Sequence, residues 1–570
     1  MLVYRTLAAS LAIAVAARLS IATDYYVSPT GNDAAAGNSS GTAWASLSKV
    51  NSSTFNPGDR ILLQRGGEWR ESLVVPSSGT AAAPLVIDAY GSGAKPKLWG
   101  SDPIPAASFQ PYSGNAYVAN YGQTVNAVLS NQVFYNHAIK LSGLSQNNPA
   151  NITYVRDHPG TWYQADDGKV YINAHGTDPR NGTVNFTAAV RDDVVNVTDK
   201  HNVVIRNVVV DESAKDNAGY AFRVMQSSNI RIEDSEAYRA GKHHFGTINS
   251  TGFVGKGLYS AFVLPNQISS SAYVSYSDAS RTDDTSDWDT ITAENMPGAG
   301  AFYAHGDGNG IGRVSVKNVI ARGTHVDANL RPGTLSLQNI TLEQGASLNV
   351  GTDYTIVDGV QVKGYNSYIF VTASSSILQN IVANKYVNQT RYYSVIDDHG
   401  RNNIVRFSTF DIEDGAALSS VGGNANTQFY GNIVRSKSGL ALRWLGKDNG
   451  LRAHDNLYWG PGRNRILIDL GYFVNYTPEE WAALGLESNS HFADPLFRDA
   501  ANGDYTLLPG SPALGWIGMN GGLSSMPLYD AMGNRRTNGY YTLGAFAGTV
   551  PEPSLLLPLA AGIGLLRRRR

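Results

Sequence analysis

The chain has 570 residues, no cysteine and a formal net charge of −2 at pH 7, with 59 glycines and 16% charged residues. The lack of cysteine excludes disulfides, thiolate catalysis and cysteine-based zinc sites. A chain without excess positive charge is not expected to bind nucleic acid. Many glycines and few charges are typical of short strands joined by turns.

Residues 1–22 have the pattern of a secretory signal peptide. Arg5 precedes an apolar run, and the small residues Ser20 and Ala22 lie where a signal peptidase would cut. We therefore predict an exported protein, either extracellular or associated with the cell surface.

Residues 23–99 read as short strands separated by turns. In NPGDRILLQRGGEWRESLVV, the turn at Gly58 and Asp59 leads into an apolar strand. These segments resemble the opening coils of secreted right-handed parallel β-helix proteins, the pectate-lyase-like group. The resemblance implies an all-β solenoid over most of the exported chain, and it specifies the fold better than the substrate.

Residues 100–190 interrupt this pattern with a β-rich insertion. The segment TWYQADDGKVYINAHGTDPRNGTVNFT contains Asp167 and Gly168 at a predicted hairpin turn. Similar insertions near the start of β-helix glycoside hydrolases imply carbohydrate processing. Trp162 and Tyr163 either stack on a sugar or form the small core of the insertion.

Residues 191–460 are predicted to be stacked β-coils, and the repeat is clearest from Arg313 to Ala383. Four copies, which include RVSVKNVIARG and TLSLQNITLEQG, place Asn318, Asn339, Gly359 and Asn380 at matched positions, 21, 20 and 21 residues apart. Each copy alternates apolar and polar residues around a turn residue, as a strand does. One coil cannot bury its own apolar face, so the copies predict a solenoid with a shared core.

Residues 242–325 hold the densest set of titratable side chains. Asp284, His305 and His325 are 21 and 20 residues apart, which matches the step of the repeat. If the register extends back this far, the three side chains form a column on neighbouring coils, in which a carboxylate orients an imidazole and raises its basicity. An alternative alignment gives a 28-residue coil and places Asp278 over His305.

This patch suggests two chemistries. A glycoside hydrolase needs two carboxyl groups, whereas a polysaccharide lyase needs a base and a cation that neutralises a uronate carboxylate. The Asp-Asp pair followed by AHGDG loosely resembles the polygalacturonase pattern, but other elements of that pattern are missing, so its roles are not carried over. The catalytic candidates are Asp283, Asp284, His305, His325, His243 and His244, and the substrate-binding candidates are Lys242, Arg322, Asp307 and Trp288.

Two further features leave alternatives open. The run DASRTDDTSDWD is either a solvated acidic loop, whose members include Asp287 and Asp289, or a calcium site, because calcium takes several oxygen ligands. No other cofactor is implied. A second cluster in VIDDHGRNN contains Asp397, Asp398, His399 and Arg401.

Residues 461–549 are predicted to cap the last coil, and residues 550–570 to be a sorting tail. YTPEEWAALGL has a capping box that begins at Thr477. VPEPSLLLPLAAGIGLLRRRR closely resembles the PEP-CTERM tail of Gram-negative bacteria, which implies an exosortase-type sorting partner and removal of the tail on export. A permanent membrane anchor is the alternative.

Together these features predict a monomeric, extracellular, polysaccharide-active β-helix enzyme, either a glycoside hydrolase or a polysaccharide lyase. The alternative is a non-catalytic surface or matrix protein that binds glycans with its coil face. The two hypotheses differ in whether the acids and bases of the patch share one groove.

Overall fold

The computed structural model describes the greater part of the chain. The described residues are 22–130, 136–137, 149–213, 219–263, 270–278, 281, 283–296, 299–306, 312–328, 334–387, 394–421, 426–445, 450–460, 466–467, 475–476, 478–516, 526–536 and 542–547. The predicted signal peptide and sorting tail lie almost wholly outside them, as do Asp307 and Thr477, and these remain predictions.

Contacts divide the chain into two units. Unit 1 comprises Met1–Lys215, Gly219–Ala237 and Ser250–Val254, and unit 2 comprises Asp216–Ala218, Tyr238–Asn249 and Gly255–Arg570. Each unit is described separately below.

Unit 1 is built of parallel β-coils that begin at the first described strand. Three short rows of strands run through it, because each coil turns the chain at Gly and Asn residues and returns it beside the previous coil. The first row is Asp24–Val27, Arg60–Gln64, Leu85–Tyr90, His201–Arg206 and Ser228–Glu233; the second is Glu68–Trp69, Lys97–Trp99 and Val209–Asp211; the third is Leu73–Val74, Val195–Thr198 and Tyr220–Met225. Helix Leu47–Asn51 and the 3-10 turn Ser40–Thr42 lie between the first two strands of the first row.

The predicted insertion is confirmed. Leu85 pairs directly with Val203, so the coils continue as if the intervening residues were absent. Those residues form a three-stranded antiparallel sheet of Ser101–Ile104, Ala127–Ser130 and Phe186–Ala189, and a mainly antiparallel five-stranded sheet of Phe109–Ser113, Ala116–Asn120, Asn136–His137, Thr161–Gln164 and Lys169–Asn173. Helix Pro149–Asp157 packs on the second sheet, with the 3-10 turns Ala106–Ser108 and Pro179–Asn181 nearby. Trp162 and Tyr163 are buried, which makes them core residues of the insertion.

In unit 2, the first sheet contains the predicted repeat. The register pairs Lys317 with Gln338, Gln338 with Asp358, and Asp358 with Gln379, so the 21, 20 and 21 residue steps are confirmed. The strands are Phe253–Val263, Thr285–Glu294, Arg313–Arg322, Thr334–Glu343 and Ile356–Tyr365, followed by pairs of shorter strands: Ile377–Gln379 and Val382–Val387, Ile404–Arg406 and Thr409–Asp414, Gln428–Tyr430 and Ile433–Ser436, Arg452–His454 and Leu457–Trp459, Glu487–Ser488 and His491–Phe492.

The matched residues of the repeat have a backbone reason for their identity. Asn318, Asn339, Gly359 and Asn380 all have left-handed φ angles, of 55°, 52°, 79° and 54°, a conformation that Asn and Gly adopt more readily than other residues. Asn339 Nδ2 also donates to Asn318 Oδ1 at 3.1 Å. The repeat therefore fixes a bend at the same place in each coil.

The second sheet of unit 2 runs beside the first along successive coils. Its strands are His243–Ile248, Ser271–Ser277, Gly300–Gly306, His325–Ala328, Ser347–Val350, Tyr368–Val371, Ser394–Asp398, Ala416–Val421 and Leu442–Leu445. Alternate residues form one buried apolar column: Phe245, Tyr273, Phe302, Val326, Leu348, Ile369, Ile396, Leu418 and Leu442. Burying each such side chain contributes about 1.5–3 kcal/mol. The residues between them face outward.

The last segment packs along the late coils. The hairpin Phe497–Asp499 and Asp504–Leu507, with the 3-10 turn Ala500–Asn502 between its strands, is followed by residues that bury Tyr505, Trp516 and Leu543 against Val382, Phe407, Ile433 and Leu457. Helix Pro478–Ala483 and the short pair Ile466–Leu467 and Asn475–Tyr476 precede it, and the strand Glu236–Ala240 completes the set. Among the described residues, no helix combines the length and apolar composition needed to cross a membrane.

Candidate active site

The second sheet of unit 2 presents a continuous outward row of side chains. We call this the outer row: Val274, Tyr303, Asp327, Asn349, Phe370, Asp397, Ser419 and Arg443, each paired in register with the next. Parallel strands lie about 4.8 Å apart, so the six steps from Tyr303 to Arg443 span roughly 29 Å. The row is long enough to contact an extended ligand.

One end of the outer row is an aromatic platform. Tyr276 pairs with His305 in the register, and their rings stack with centroids 5.5 Å apart. His305 also stacks on Tyr303 at 5.5 Å, with the two rings inclined by 14°. These rings are partly exposed, and such flat surfaces suit stacking against a sugar ring.

Next along the row is a carboxylate–imidazole pair formed by Asp327 and His325. His325 Nε2 lies 3.3 Å from Asp327 Oδ2, and Asn349 Nδ2 donates to Asp327 Oδ1 at 2.5 Å. Burial would raise the pKa of Asp327, but the hydrogen bonds from His325 and Asn349 outweigh it and hold this pKa below its ordinary value. Asp327 is therefore an ionised carboxylate at neutral pH.

Three steps further along lies a second pair, formed by Asp397 and His399. His399 Nε2 is 3.0 Å from Asp397 Oδ2, and the Asp397 side chain is only 1% exposed, whereas that of His399 is 32% exposed. Burial raises the pKa of Asp397 above its ordinary value, although the charge of His399 and hydrogen bonds with His399 and Ser419 oppose the change. The carboxyl group is thus enclosed, and the imidazole is the member of the pair that a ligand can reach.

The geometry of this second pair prepares His399 for proton transfer. When Asp397 is ionised it accepts the Nε2 proton, so the neutral imidazole presents an unprotonated Nδ1. The Phe370 ring lies 5.0 Å from the imidazole and holds it in place from one side. Arg443, which makes no ion pair with any described residue, lies two register steps from Asp397 and brings a partly buried cation to the same row.

Asp398, next to Asp397, has a different role. It points away from the outer row and accepts hydrogen bonds from Thr427 Oγ1 at 2.7 Å, Asn403 Nδ2 at 2.8 Å and the Gly400 backbone N–H at 2.9 Å. Burial raises its pKa. Because all these partners hold a loop together, Asp398 is structural. Arg401 is exposed, and its backbone carbonyl accepts from Ser375.

The predicted column of Asp284, His305 and His325 is wrong. The coils before the repeat are longer: Thr285 pairs with Arg313 and Tyr276 with His305, steps of 28 and 29 residues. His325 pairs with Gly300. The alternative with Asp278 over His305 also fails, although its coil length was close, because Tyr276 occupies that position.

The candidate residues therefore separate. His305 and His325 lie at the outer row, whereas Asp284 is buried and accepts hydrogen bonds from Ser277 Oγ and from Arg281 Nε. Asp283 is 72% exposed beside Arg281. Neither aspartate is on the strand that carries His305.

The adjacent histidines His243 and His244 belong to the core. His243 Nδ1 accepts the Ser271 backbone N–H at 3.1 Å, and His244 Nε2 accepts the Ala240 backbone N–H at 3.1 Å. Burial lowers the pKa of each to about 3, so both are neutral at physiological pH. Their position does not support a catalytic role.

The substrate-binding candidates are also placed away from the row. Trp288 is fully buried between Tyr273 and Phe302. Arg322 is held on the first sheet by Glu294 and Glu343, with both contacts at 2.8 Å. Lys242 precedes the first strand of the second sheet and is half-buried.

The proposed calcium loop has protein partners for its acidic groups. In its described part, Asp287 pairs with Arg313 at 2.7 Å and Asp289 accepts from Asn318 at 2.6 Å, while Asp284 is held by Arg281. Among the described residues, no group of three or more His, Asp and Glu side chains is placed to hold a metal ion.

Comparison with known proteins supports the fold. No family model matches the chain. The solved complex of XylC with xylose is 13% identical, covers 93% of this chain and 99% of its own, and superposes with a TM-score of 0.54. The GH136 lacto-N-biosidase from Eubacterium ramulus is 12% identical with a TM-score of 0.33, and covers 83% of this chain and 68% of its own.

A curated relative matches only a short segment. The lacto-N-biosidase of Bifidobacterium longum subsp. longum is 45% identical over 74 residues, which is 12% of this chain and 5% of that protein. The chain thus matches a small fraction of this relative's length. With the strand topology described above, these findings establish an all-β parallel β-helix fold.

Proposed function

We propose that the protein is a carbohydrate-active enzyme that cleaves glycosidic bonds in a polysaccharide bound along the outer row. The observation that carries this proposal is the enclosed Asp397 carboxyl group beneath the accessible His399 imidazole, on the same face as a stacked aromatic platform. Buried titratable pairs with shifted pKa values, placed beside binding groups, are typical of catalytic centres.

In this proposal His399 transfers the proton and Asp397 positions it. The carboxylate fixes the imidazole tautomer and stabilises the imidazolium that forms when Nδ1 takes a proton. Asp327, Asn349 and the aromatic platform bind the sugars further along the row. The names of the similar proteins, XylC in complex with xylose and lacto-N-biosidase, also support a carbohydrate substrate.

Distances decide which residues share one reaction. Asp327 and Asp397 are three register steps apart, about 14 Å. Carboxyl groups that act on one glycosidic bond lie about 5–9.5 Å apart. The two aspartates therefore cannot serve as the carboxyl pair of a hydrolase, and Asp327 is assigned to binding.

The described groups near Asp397 favour elimination from a uronate. His399 is the base that removes the proton beside the uronate carboxylate, and Arg443 is the cation that neutralises that carboxylate. Hydrolysis is the second candidate, favoured by the glycosidase name of the short-segment relative. It would require a second carboxyl group beyond the described part of the outer row.

The test is incubation of the exported part of the chain with algal, plant and bacterial polysaccharides. New reducing ends together with ultraviolet absorbance from an unsaturated product would support elimination. Reducing ends without absorbance would assign hydrolysis. Neither signal across the panel, with glycan binding retained, would overturn catalysis and leave the non-catalytic glycan-binding protein.

A further inference from the structure

Unit 2 contains a polar cavity on the first sheet, away from the outer row. Its volume is about 320 Å³, near the lower end of small-molecule sites. The sheet contributes its floor and a late loop its wall, and the lining residues are Gln338, Asn339, Thr341, Asp358, Gly359, Gln361, Asn380, Tyr529, Asp530, Ala531, Met532 and Gly533. None of these belongs to the catalytic centre proposed above.

The wall of the cavity is held firmly by Asn380, which is buried. Asn380 Nδ2 donates to Asp358 Oδ1 at 2.6 Å and to the Tyr529 carbonyl at 3.0 Å, and its Oδ1 accepts from Arg536 at 3.1 Å. Asp530 closes the loop by accepting the backbone N–H groups of Met532 at 2.9 Å and Asn534 at 2.7 Å. The cavity is therefore preformed, which lowers the entropic cost of binding.

The floor offers polar groups that the protein itself leaves unused. Gln338, Thr341 and Gln361 are partly or fully exposed, and their side chains make no hydrogen bond to any described residue. They lie on adjacent strands, with Thr341 paired to Gln361 and Gln338 to Asp358. Two amides and one hydroxyl thus converge from one sheet surface, each able to donate and accept.

The chemistry of the lining selects among ligand classes. Amide and hydroxyl groups beside a half-exposed tyrosine, Tyr529, match the hydroxyl groups and apolar ring face of a sugar. The lining contains the carboxyl groups of Asp358 and Asp530 and no lysine or arginine, so a uronate or other anion would be repelled. An apolar ligand would leave the amides without partners.

We propose that this cavity is a second glycan-binding site, specific for neutral sugars and separate from the outer row. It would hold a neutral chain or branch of the polysaccharide while another part lies along the outer row. Two linked sites on one ligand raise the overall affinity without any new contact at the catalytic centre. The cavity does not depend on the catalytic proposal, since none of its residues takes part in that chemistry.

The experiment is calorimetric titration of the full His399→Ala chain, which removes cleavage as a complication. The probes are xylotetraose, cellotetraose and laminaritetraose, with trigalacturonate as the charged comparison. We expect at least one neutral probe to bind, and both Gln361→Ala and Tyr529→Ala to weaken that binding roughly tenfold. Gln428→Ala, an exposed glutamine on a later strand of the same sheet, is the matched control and should leave binding unchanged.

Several outcomes would overturn the proposal. These are no binding of any neutral probe, binding that Gln361→Ala and Tyr529→Ala leave unchanged, or trigalacturonate binding that these variants weaken. In the His399-containing chain, Gln361→Ala should leave kcat on a short substrate unchanged. Loss of kcat in that variant would place the cavity in the catalytic machinery and contradict its separation from the outer row.

Discussion

The two carboxylate–imidazole pairs of the outer row have the same residue types and spacing, yet their surroundings differ. Asp327 is 28% exposed and its hydrogen bonds lower its pKa, whereas Asp397 is enclosed and burial raises its pKa. The imidazoles are similarly accessible, at 38% and 32%. The difference shows that burial of the carboxyl group, and not the Asp-x-His pattern itself, distinguishes a proton-transfer centre from a binding site.

The largest expected effect is on the exposed base of the second pair. His399→Ala should lower kcat by about 10²–10⁴-fold, because a positioned proton-transfer group contributes that much to the rate. The matched control is His325→Ala, the same change in the first pair, which should raise KM with little change in kcat. Initial rates on the best substrate of the polysaccharide panel measure both. Equal losses of kcat would remove the distinction between the pairs.

The second effect concerns the orienting carboxylate. Asp397→Asn should lower kcat by roughly 10–100-fold and move the acidic limb of the kcat/KM profile to lower pH, because removal of the negative charge lowers the pKa of His399. Asp327→Asn should leave that limb in place. If Asp397→Asn lowers the rate without moving the limb, the carboxyl group has only a structural role.

The third effect is on stability and has opposite signs for the two aspartates. The folded-state pKa of Asp327 is depressed, so its stabilisation is present above the unfolded pKa and is lost as pH falls. Asp327→Asn should therefore lower the urea midpoint most near pH 7. The folded-state pKa of Asp397 is raised, so the wild type loses stability as pH rises from the unfolded to the folded pKa.

Asp397→Asn removes that loss, and its midpoint relative to wild type should rise with pH over the same interval. Urea unfolding of both variants from pH 3 to pH 7 measures the two trends. Parallel trends for the two variants would show that the pKa shifts do not have opposite directions.

The smallest effect on activity is expected from the regular repeat on the first sheet. Gly359→Ala should lower the free energy of unfolding by about 1–3 kcal/mol, because φ is 79° and a Cβ would lie 2.7 Å from Asn339 Oδ1. Gly364→Ala on the same strand has a similar φ of 81° but open space around its Cβ, so it should cost less. Neither change should alter kcat, and a loss of kcat in Gly364→Ala would extend the site beyond the outer row.

The contrast between repeat and site also explains what the sequence could predict. Asn318, Asn339 and Asn380 recur because a left-handed bend recurs, so local backbone chemistry is visible in the sequence. The step could not be extended backward, because coil length changes with loops that nothing in a single coil fixes. Likewise, VIDDHG shows two aspartates, but only the strand register shows that Asp397 faces the outer row while Asp398 binds a loop.

Burial of polar groups was the other limit. His243 and His244 look like catalytic residues in the sequence, yet backbone N–H groups satisfy them inside the core. The early prediction ranked the patch at 242–325 above VIDDHGRNN because it is richer in titratable groups. Density of such groups proved a weaker guide than their enclosure.

The most direct test of the central claim is a crystal structure of His399→Ala with an oligosaccharide of the polysaccharide that the wild type cleaves best. The proposal predicts sugar rings along the outer row between Tyr303 and Arg443, with a glycosidic bond over the Asp397 position. An oligosaccharide bound only elsewhere in unit 2, with the outer row empty, would contradict it.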